Sequence, residues 1–215
     1  MPFFVTPNVI AIVIITVLLV SGFIAFLRRI GGTHRGGNGF VIFKLSEDIN
    51  NIDKVINAIQ LPFVFEVAVD QLGRELSYYV AVSAKHSKRV INELGASEVS
   101  DYEFYHPQGV HIGAYLKGGV DVVGMDISKI DFSSVNEVGE SVVVQFVFHK
   151  KTGSGIETNI RVLTSAQSSY QAKEIMSRIK SSMSSVKLID VNSADFITRF
   201  NLRKFESKES VTLIV

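Results

Sequence analysis

The side chains able to carry chemistry are few and scattered along the chain. Of five histidines, His34, His86, His106, His111 and His149, only His106 and His111 stand close, on either side of Pro107 and Gly109. A loop there could turn both imidazoles onto a metal, with Asp101 and Glu103 as the nearby candidates for a third ligand. The spacing alone favours a structural or surface role. Cysteine is absent, which excludes disulfides and thiolate metal sites. No Gly-x-Ser-x-Gly elbow occurs, and the serines between Ser165 and Ser185 read as the solvated side of a helix. No Gly-x4-Gly-Lys-Ser/Thr loop occurs either. Gly31, Gly32, Gly36, Gly37 and Gly39 lack a preceding strand and read as a flexible linker. No catalytic residue, metal or cofactor is expected, so an enzyme is not the expected class.

Residues suited to binding are easier to find. Lys85, His86, Lys88 and Arg89 form a local basic cluster, with Lys85, Lys88 and Arg89 as candidate contacts to an acidic partner or a lipid headgroup. The plain account of the same residues is a charged, solvated helix face. Tyr102, Phe104 and Tyr105 could stack RNA bases on a sheet, but the basic-aromatic pattern of RNA-binding sheets is missing. Residues 1–38 hold three arginines and no acid, which leaves 19 basic and 21 acidic residues in the rest. A net charge of about −2 there argues against direct nucleic-acid binding.

Val9 to Leu27 is an uncharged run long enough to cross a bilayer, roughly 28 Å at the rise of an α-helix. No basic side chain precedes it and Arg28-Arg29 follow it directly, which suits an anchor rather than a cleaved signal peptide. Arg28, Arg29 and Arg35 then face headgroups on the inner side of the cytoplasmic membrane, with the N-terminus outside and the body in the cytoplasm. The expected organisation is an anchor (1–30), a Gly-rich linker (31–39) and two α+β modules (40–118 and 119–215).

The elements that must position these groups follow a regular order. Phe40–Leu45 reads as a strand. Ser46 can cap a helix that carries Ile49, Ile52, Ile56 and Ile59 on one face and closes at Pro62. Phe63, Phe65, Val67 and Val69 alternate with Val64, Glu66, Ala68 and Asp70, as a half-buried strand would. A turn at 71–74 leads to a strand from Leu76 to Val82. Ser83 can cap a second helix burying Val90, Ile91 and Leu94, with Gly95 at its C-terminus. Val99–Tyr105 closes a β-α-β-β-α-β order, the ferredoxin-like arrangement. The theme repeats with a strand at 120–125, a weak helix at 126–139, and strands carrying Val142–Phe148 and Ile156–Val162. A helix follows, capped by Thr164 with Gln167 and lined by Ala172, Ile175, Met176, Ile179, Met183 and Val186. Lys187–Val191 is the closing strand. Phe196–Phe205 and Ser210–Val215 read as two more strand-like segments, the last either covered by a neighbour or continued in a longer polypeptide. The fold expected is therefore α+β, a transmembrane helix followed by two tandem ferredoxin-like domains.

The runs Leu61-Pro-Phe-Val-Phe-Glu-Val-Ala-Val69 and Leu76-Ser-Tyr-Tyr-Val-Ala-Val82, then Lys85-His86 and Val99-Ser-Asp-Tyr-Glu103, resemble the N-terminal region of membrane-anchored proteins related to type IV secretion and conjugation ATPases. The resemblance implies a transmembrane helix before two α+β modules, with the ATPase engine further on and absent here. Phe200-Asn-Leu-Arg203 and Val211–Val215 look like the approach to that later domain. No active-site residue is implied. The expected role is a membrane-tethered docking or scaffolding module, with the bilayer, protein partners of a membrane assembly and a second copy of the chain as its partners. The alternative is a membrane-anchored sensor that binds a small ligand between its two α+β modules.

Overall fold

The two longest apolar alternations pair with each other and set the middle of a single sheet. In the computed structural model, Ser141–Lys151 and Ile156–Ala166 form an antiparallel hairpin. The structure describes residues 39–46, 52–69, 75–102, 108–123, 125–153 and 155–214. The proposed anchor and linker, with Arg28, Arg29 and Arg35, lie outside them. Among the described residues no helix is long and apolar enough to cross a membrane.

In chain order the elements are β1 (Phe40–Lys44), α1 (Ile52–Ala58), β2 (Phe63–Val69), β3 (Leu76–Ser83), α2 (Ser87–Leu94) and β4 (Ser97–Val99), then β5 (Val110–Leu116) and β6 (Asp121–Val123). The hairpin strands are β7 and β8, followed by α3 (Ser169–Ser182), β9 (Leu188–Val191), α4 (Ala194–Asn201) and β10 (Val211–Ile214). The first half pairs in the order β4-β1-β3-β2, all antiparallel. In the second half β9 pairs β5, β5 pairs β8 and β8 pairs β7, again all antiparallel. The halves join because β2 and β7 pair in register, from Phe63 opposite Phe148 to Val69 opposite Val142. Residues 35–215 thus form one unit around a continuous sheet. β5, placed with the first half by its position in the sequence, belongs with the second by pairing.

One sheet face carries α1, α2 and α3 and the larger core. At the seam Phe63 stacks on Phe148 with centroids 4.6 Å apart, and Phe65 lies 6.0 Å from Phe146. Ala172, Ile175, Met176, Ile179 and Met183 are buried on α3, as the helical spacing predicts. The opposite face is covered by α4, whose Phe196 and Phe200 pack on Ile42, Val64, Ala68, Ala81, Val143 and Leu163. Gly113 of β5 permits this contact, since a Cβ there would overlap the Phe196 ring.

Several expectations are corrected. β2 is buried on both faces rather than one, because α4 closes the second face. Phe196–Phe205 is not strand-like: Ser193 accepts a bond from the Phe196 amide and starts helix α4. The α3 capping box lies one turn later than Thr164 and Gln167. Ser168 accepts from the Gln171 amide (3.3 Å), and its hydroxyl donates to the Gln171 side chain (2.8 Å). Thr164 remains in β8, and its hydroxyl bonds to the Ile112 and Ala172 carbonyls.

Ser83 makes no side-chain cap, and Ile91 is exposed rather than buried. Ser46 donates to the Gly95 carbonyl (2.9 Å); the residues it was expected to cap, in 47–51, lie outside the described residues. Gly95 does take the left-handed conformation expected at a helix end (φ 59°). The fourth strand is short, Ser97–Val99, and 126–139 holds only a 3₁₀ turn at Ile127–Lys129. There Asp126 and Asp131 accept bonds from Ser128 and Ser133, a local pairing that competes with helix. The final segment is strand β10, covered by β8 on one side and β6 on the other.

Replacing Ser168 by Ala removes the α3 cap and is expected to lower stability by about 1 kcal/mol, measured as a shift in urea midpoint. Thr164→Ser keeps its hydroxyl and should move the midpoint less.

Candidate functional site

A row of polar residues crosses the α4 face of the sheet at mid-height. Register places Tyr79 (β3), Glu66 (β2), Gln145 (β7) and Arg161 (β8) side by side. Glu66, Gln145 and Arg161 are wholly buried. A carboxylate and a guanidinium out of water need partners. The segment after β9 supplies them.

Glu66 is satisfied on both oxygens. Its Oε1 accepts from Gln145 Nε2 (2.8 Å) and Arg203 Nε (3.0 Å), and its Oε2 from the Tyr102 hydroxyl (2.8 Å) and Arg203 Nη2 (3.2 Å). Arg203 reaches outward to Asp101 as well, at 3.0 and 3.3 Å. Burial on its own would lower the Arg203 pKa, but the charges of Glu66 and Asp101 outweigh it and hold the guanidinium above its ordinary value.

Arg203 sits at a position where helices usually place glycine. Its φ is +53°. The Arg203 amide bonds to Phe200 O and the Lys204 amide to Arg199 O, the paired bonds of a Schellman helix end. A left-handed conformation costs a non-glycine residue about 1–2 kcal/mol. The ion pairs formed by this side chain account for an arginine there.

Further along the row the charges are reversed. Arg161 Nε donates to Glu209 (2.8 Å), Nη1 to the Lys204 carbonyl (2.7 Å) and Nη2 to Asn159 (3.1 Å). Arg199 on α4 binds the other Glu209 oxygen at 2.6 Å and Asp195 at 2.9 Å. Burial pushes the Arg161 pKa down, and Glu209 opposes that. Residues 194–209 are therefore held to the sheet by two buried ion pairs of opposite polarity.

This row also takes up Tyr102, one of the aromatics considered for RNA stacking. Its ring stacks on Tyr79 at 4.0 Å, and its hydroxyl is turned inward to Glu66. Burial first, then the Glu66 charge, pushes its phenol well above the ordinary range. Phe104, Tyr105, His106 and Glu103 lie outside the described residues. His111 is on β5, half-buried. His149 is exposed and stacks on Phe205 at 4.3 Å. Among the described residues no group of three acids and histidines could hold a metal ion.

Among the described residues several concavities lie elsewhere, one of 530 Å³ between α3 and the end of β9 and two that bear on the seam and on β6. On the helix-bearing side a groove of 720 Å³ runs between the two halves, lined by Ile56, Asn57, Ile59, Gln60, Leu61 and Arg89 from the first and by His149, Lys150, Lys151 and Ile156 from the second. Of the basic cluster singled out in the sequence, Arg89 lines this groove and pairs with Glu93 (2.8 Å), whereas Lys85 and Lys88 are exposed outside it. A groove of 350 Å³ runs beside β6, with Val122, Val123, Met125 and Ile130 in its lining. Sequence spacing could not announce either, since each is assembled from distant segments.

Comparison with protein-family models, with curated proteins and with solved structures found no match for this chain. The resemblance to the anchoring region of secretion and conjugation ATPases rests on the sequence runs quoted above.

Breaking the central pair by Arg203→Ala is expected to cost about 3–5 kcal/mol, because Glu66 is left charged and buried. The double variant Glu66→Gln with Arg203→Met should lose less than the sum of the single changes, read from a denaturation cycle. Because the folded-state phenol of Tyr102 lies above its unfolded value of about 10, its contribution is fully present below that pH and is lost as pH rises through the folded value. Tyr102→Phe should flatten the alkaline loss of stability, and the phenolate absorbance it removes should belong to a group titrating well above pH 10.

Proposed function

We propose that this chain is a membrane-tethered docking module, held by residues 9–27 in the cytoplasmic membrane and presenting its body to protein partners of a type IV secretion or DNA-transfer assembly. The finer fold proposal is two ferredoxin-like units. It is supported by the shared strand pattern, β4-β1-β3-β2 in one half and β9-β5-β8-β7 in the other, with an irregular segment in place of the first helix of the second unit.

The observation that carries the docking role is the edge at β6. This strand pairs with β10 on one side, and among the described residues nothing pairs with its other side. Val120 precedes it and Val123 is its last residue, 44% and 76% exposed, next to the 350 Å³ groove. An apolar open edge is a template for an added strand from a partner. The rest of the body is suited to hold that edge rigid, since its sheet is continuous and closed on both faces.

A second reading, ligand sensing between the two halves, is favoured by the 720 Å³ groove at their seam, a volume typical of small-molecule sites.

The chain has no cysteine, so single introduced cysteines report cleanly. In whole cells an impermeant maleimide is expected to label Phe3→Cys and to leave Thr33→Cys unlabelled; the reverse pattern contradicts the tether as oriented here. A photo-crosslinker at position 123 should give a discrete adduct in membranes. The same crosslinker at exposed Lys173 should not give that adduct.

A further inference from the structure

The seam groove has a composition unlike the rest of the body. Residues beyond 38 carry slightly more acid than base, yet the groove is lined by Arg89, His149, Lys150 and Lys151 and by no acidic side chain. Its apolar lining is Ile56, Ile59, Leu61 and Ile156, and Asn57 and Gln60 add amide donors. The basic side of the groove is shaped by an irregularity in the hairpin. The β7–β8 register shifts between Phe148 and Lys150, so that Lys151 rather than Lys150 stands opposite Ile156. Strict alternation from Phe148 would have put Lys150 on the helix-bearing face. Such bulges redirect side chains and gather next to functional sites.

The partners these cations already have differ. Arg89–Glu93 is an exposed pair, and exposed pairs add little stability, whereas Lys150 pairs with Glu157, which is only 22% exposed. An incoming anion can therefore compete for Arg89 at small cost, while Lys150 stays with Glu157. Lys151 is exposed and forms no ion pair among the described residues.

We infer that the seam groove binds a small organic anion, its phosphate or carboxylate head held by Lys151 and Arg89 and its apolar part lying against Ile56, Leu61 and Ile156. This rests on the sensing reading of the seam and gives it a ligand class. The head could belong to a soluble metabolite or to a lipid, and the two sources share this chemistry.

The test uses the full chain in nanodiscs of neutral phosphatidylcholine, with 1-naphthyl phosphate, 1-naphthol and inorganic phosphate as probes, read by ligand-observed NMR. 1-Naphthyl phosphate should bind about tenfold or more tightly than either 1-naphthol or phosphate alone, a difference that needs both the head and the apolar part. Lys151→Glu should weaken it about tenfold, while Lys85→Glu, on the same face of the sequence cluster but outside the groove, should leave it unchanged. Phosphatidic acid in the disc that displaces the probe supports the anion site and assigns the head to a lipid. Equal binding of 1-naphthol and 1-naphthyl phosphate overturns the anion site and leaves the sensing reading standing. Absence of binding by all three probes overturns both. Equal loss in the Lys85 and Lys151 variants reduces the effect to overall charge and overturns the site.

Discussion

Glu66 is a carboxylate at the centre of a sheet face from which water is excluded, and much of the chain's path follows from the need to neutralise it. Arg203 does so only because α4 ends in a left-handed residue that turns this side chain back onto β2. The same turn lays Phe196 and Phe200 over the sheet, where Gly113 makes room for the first of them. Beyond it, Glu209 meets Arg161, and the chain is delivered to β10 at the opposite end of the polar row. A buried pair of this kind does not by itself make a protein more stable than an apolar contact would. It makes one path of the C-terminal segment far better than others, because any other path strands a charge.

The second organising feature is the seam. β2 and β7 are interior strands of the combined sheet, and each half alone would expose one of them as a long apolar edge. Pairing these edges removes that hazard and merges two modules of similar strand order into one body. It also brings the end of α1 and the β7–β8 hairpin to the two walls of one groove. The absence of a regular helix between β5 and β7 distinguishes the second half, where Asp126 and Asp131 spend their carboxylates on local turns. β6 lies in that same connection, so the edge proposed for docking comes from the least regular part of the second half.

Much of the strand order was legible in the residues. Period-two alternation located β2, β3, β7 and β8, and helical spacing located α3 and its buried methionines. The failures have physical causes. Phe196 and Phe200 keep the four-residue spacing of a helix and Ser193 stands at its cap, but the segment is short and the usual glycine at a helix end is replaced by Arg203, so α4 lacked the stop signal of a helix. Thr164 with Gln167 has the same spacing as Ser168 with Gln171, and pattern alone does not choose between them; the length of β8, set by pairing with β5 and β7, does. Glu66 in the middle of an apolar strand read as the polar side of a half-buried sheet. Its true partner is 137 residues away, a distance that no local pattern spans. The basic cluster at 85–89 was visible, but the division between Arg89 in the groove and Lys85 and Lys88 outside it depends on a hairpin some sixty residues later.

The two halves are expected to form one cooperative body, joined through β2–β7 and closed by residues 194–209. Native-state hydrogen exchange on the full chain tests it most directly. The slowest amides of β2, β3, β7 and β8 should open with one common free energy and respond together to denaturant. Exchange of β1–β4 at low denaturant while β5, β7 and β8 stay protected would contradict it, and would mean two separately folding modules in contact.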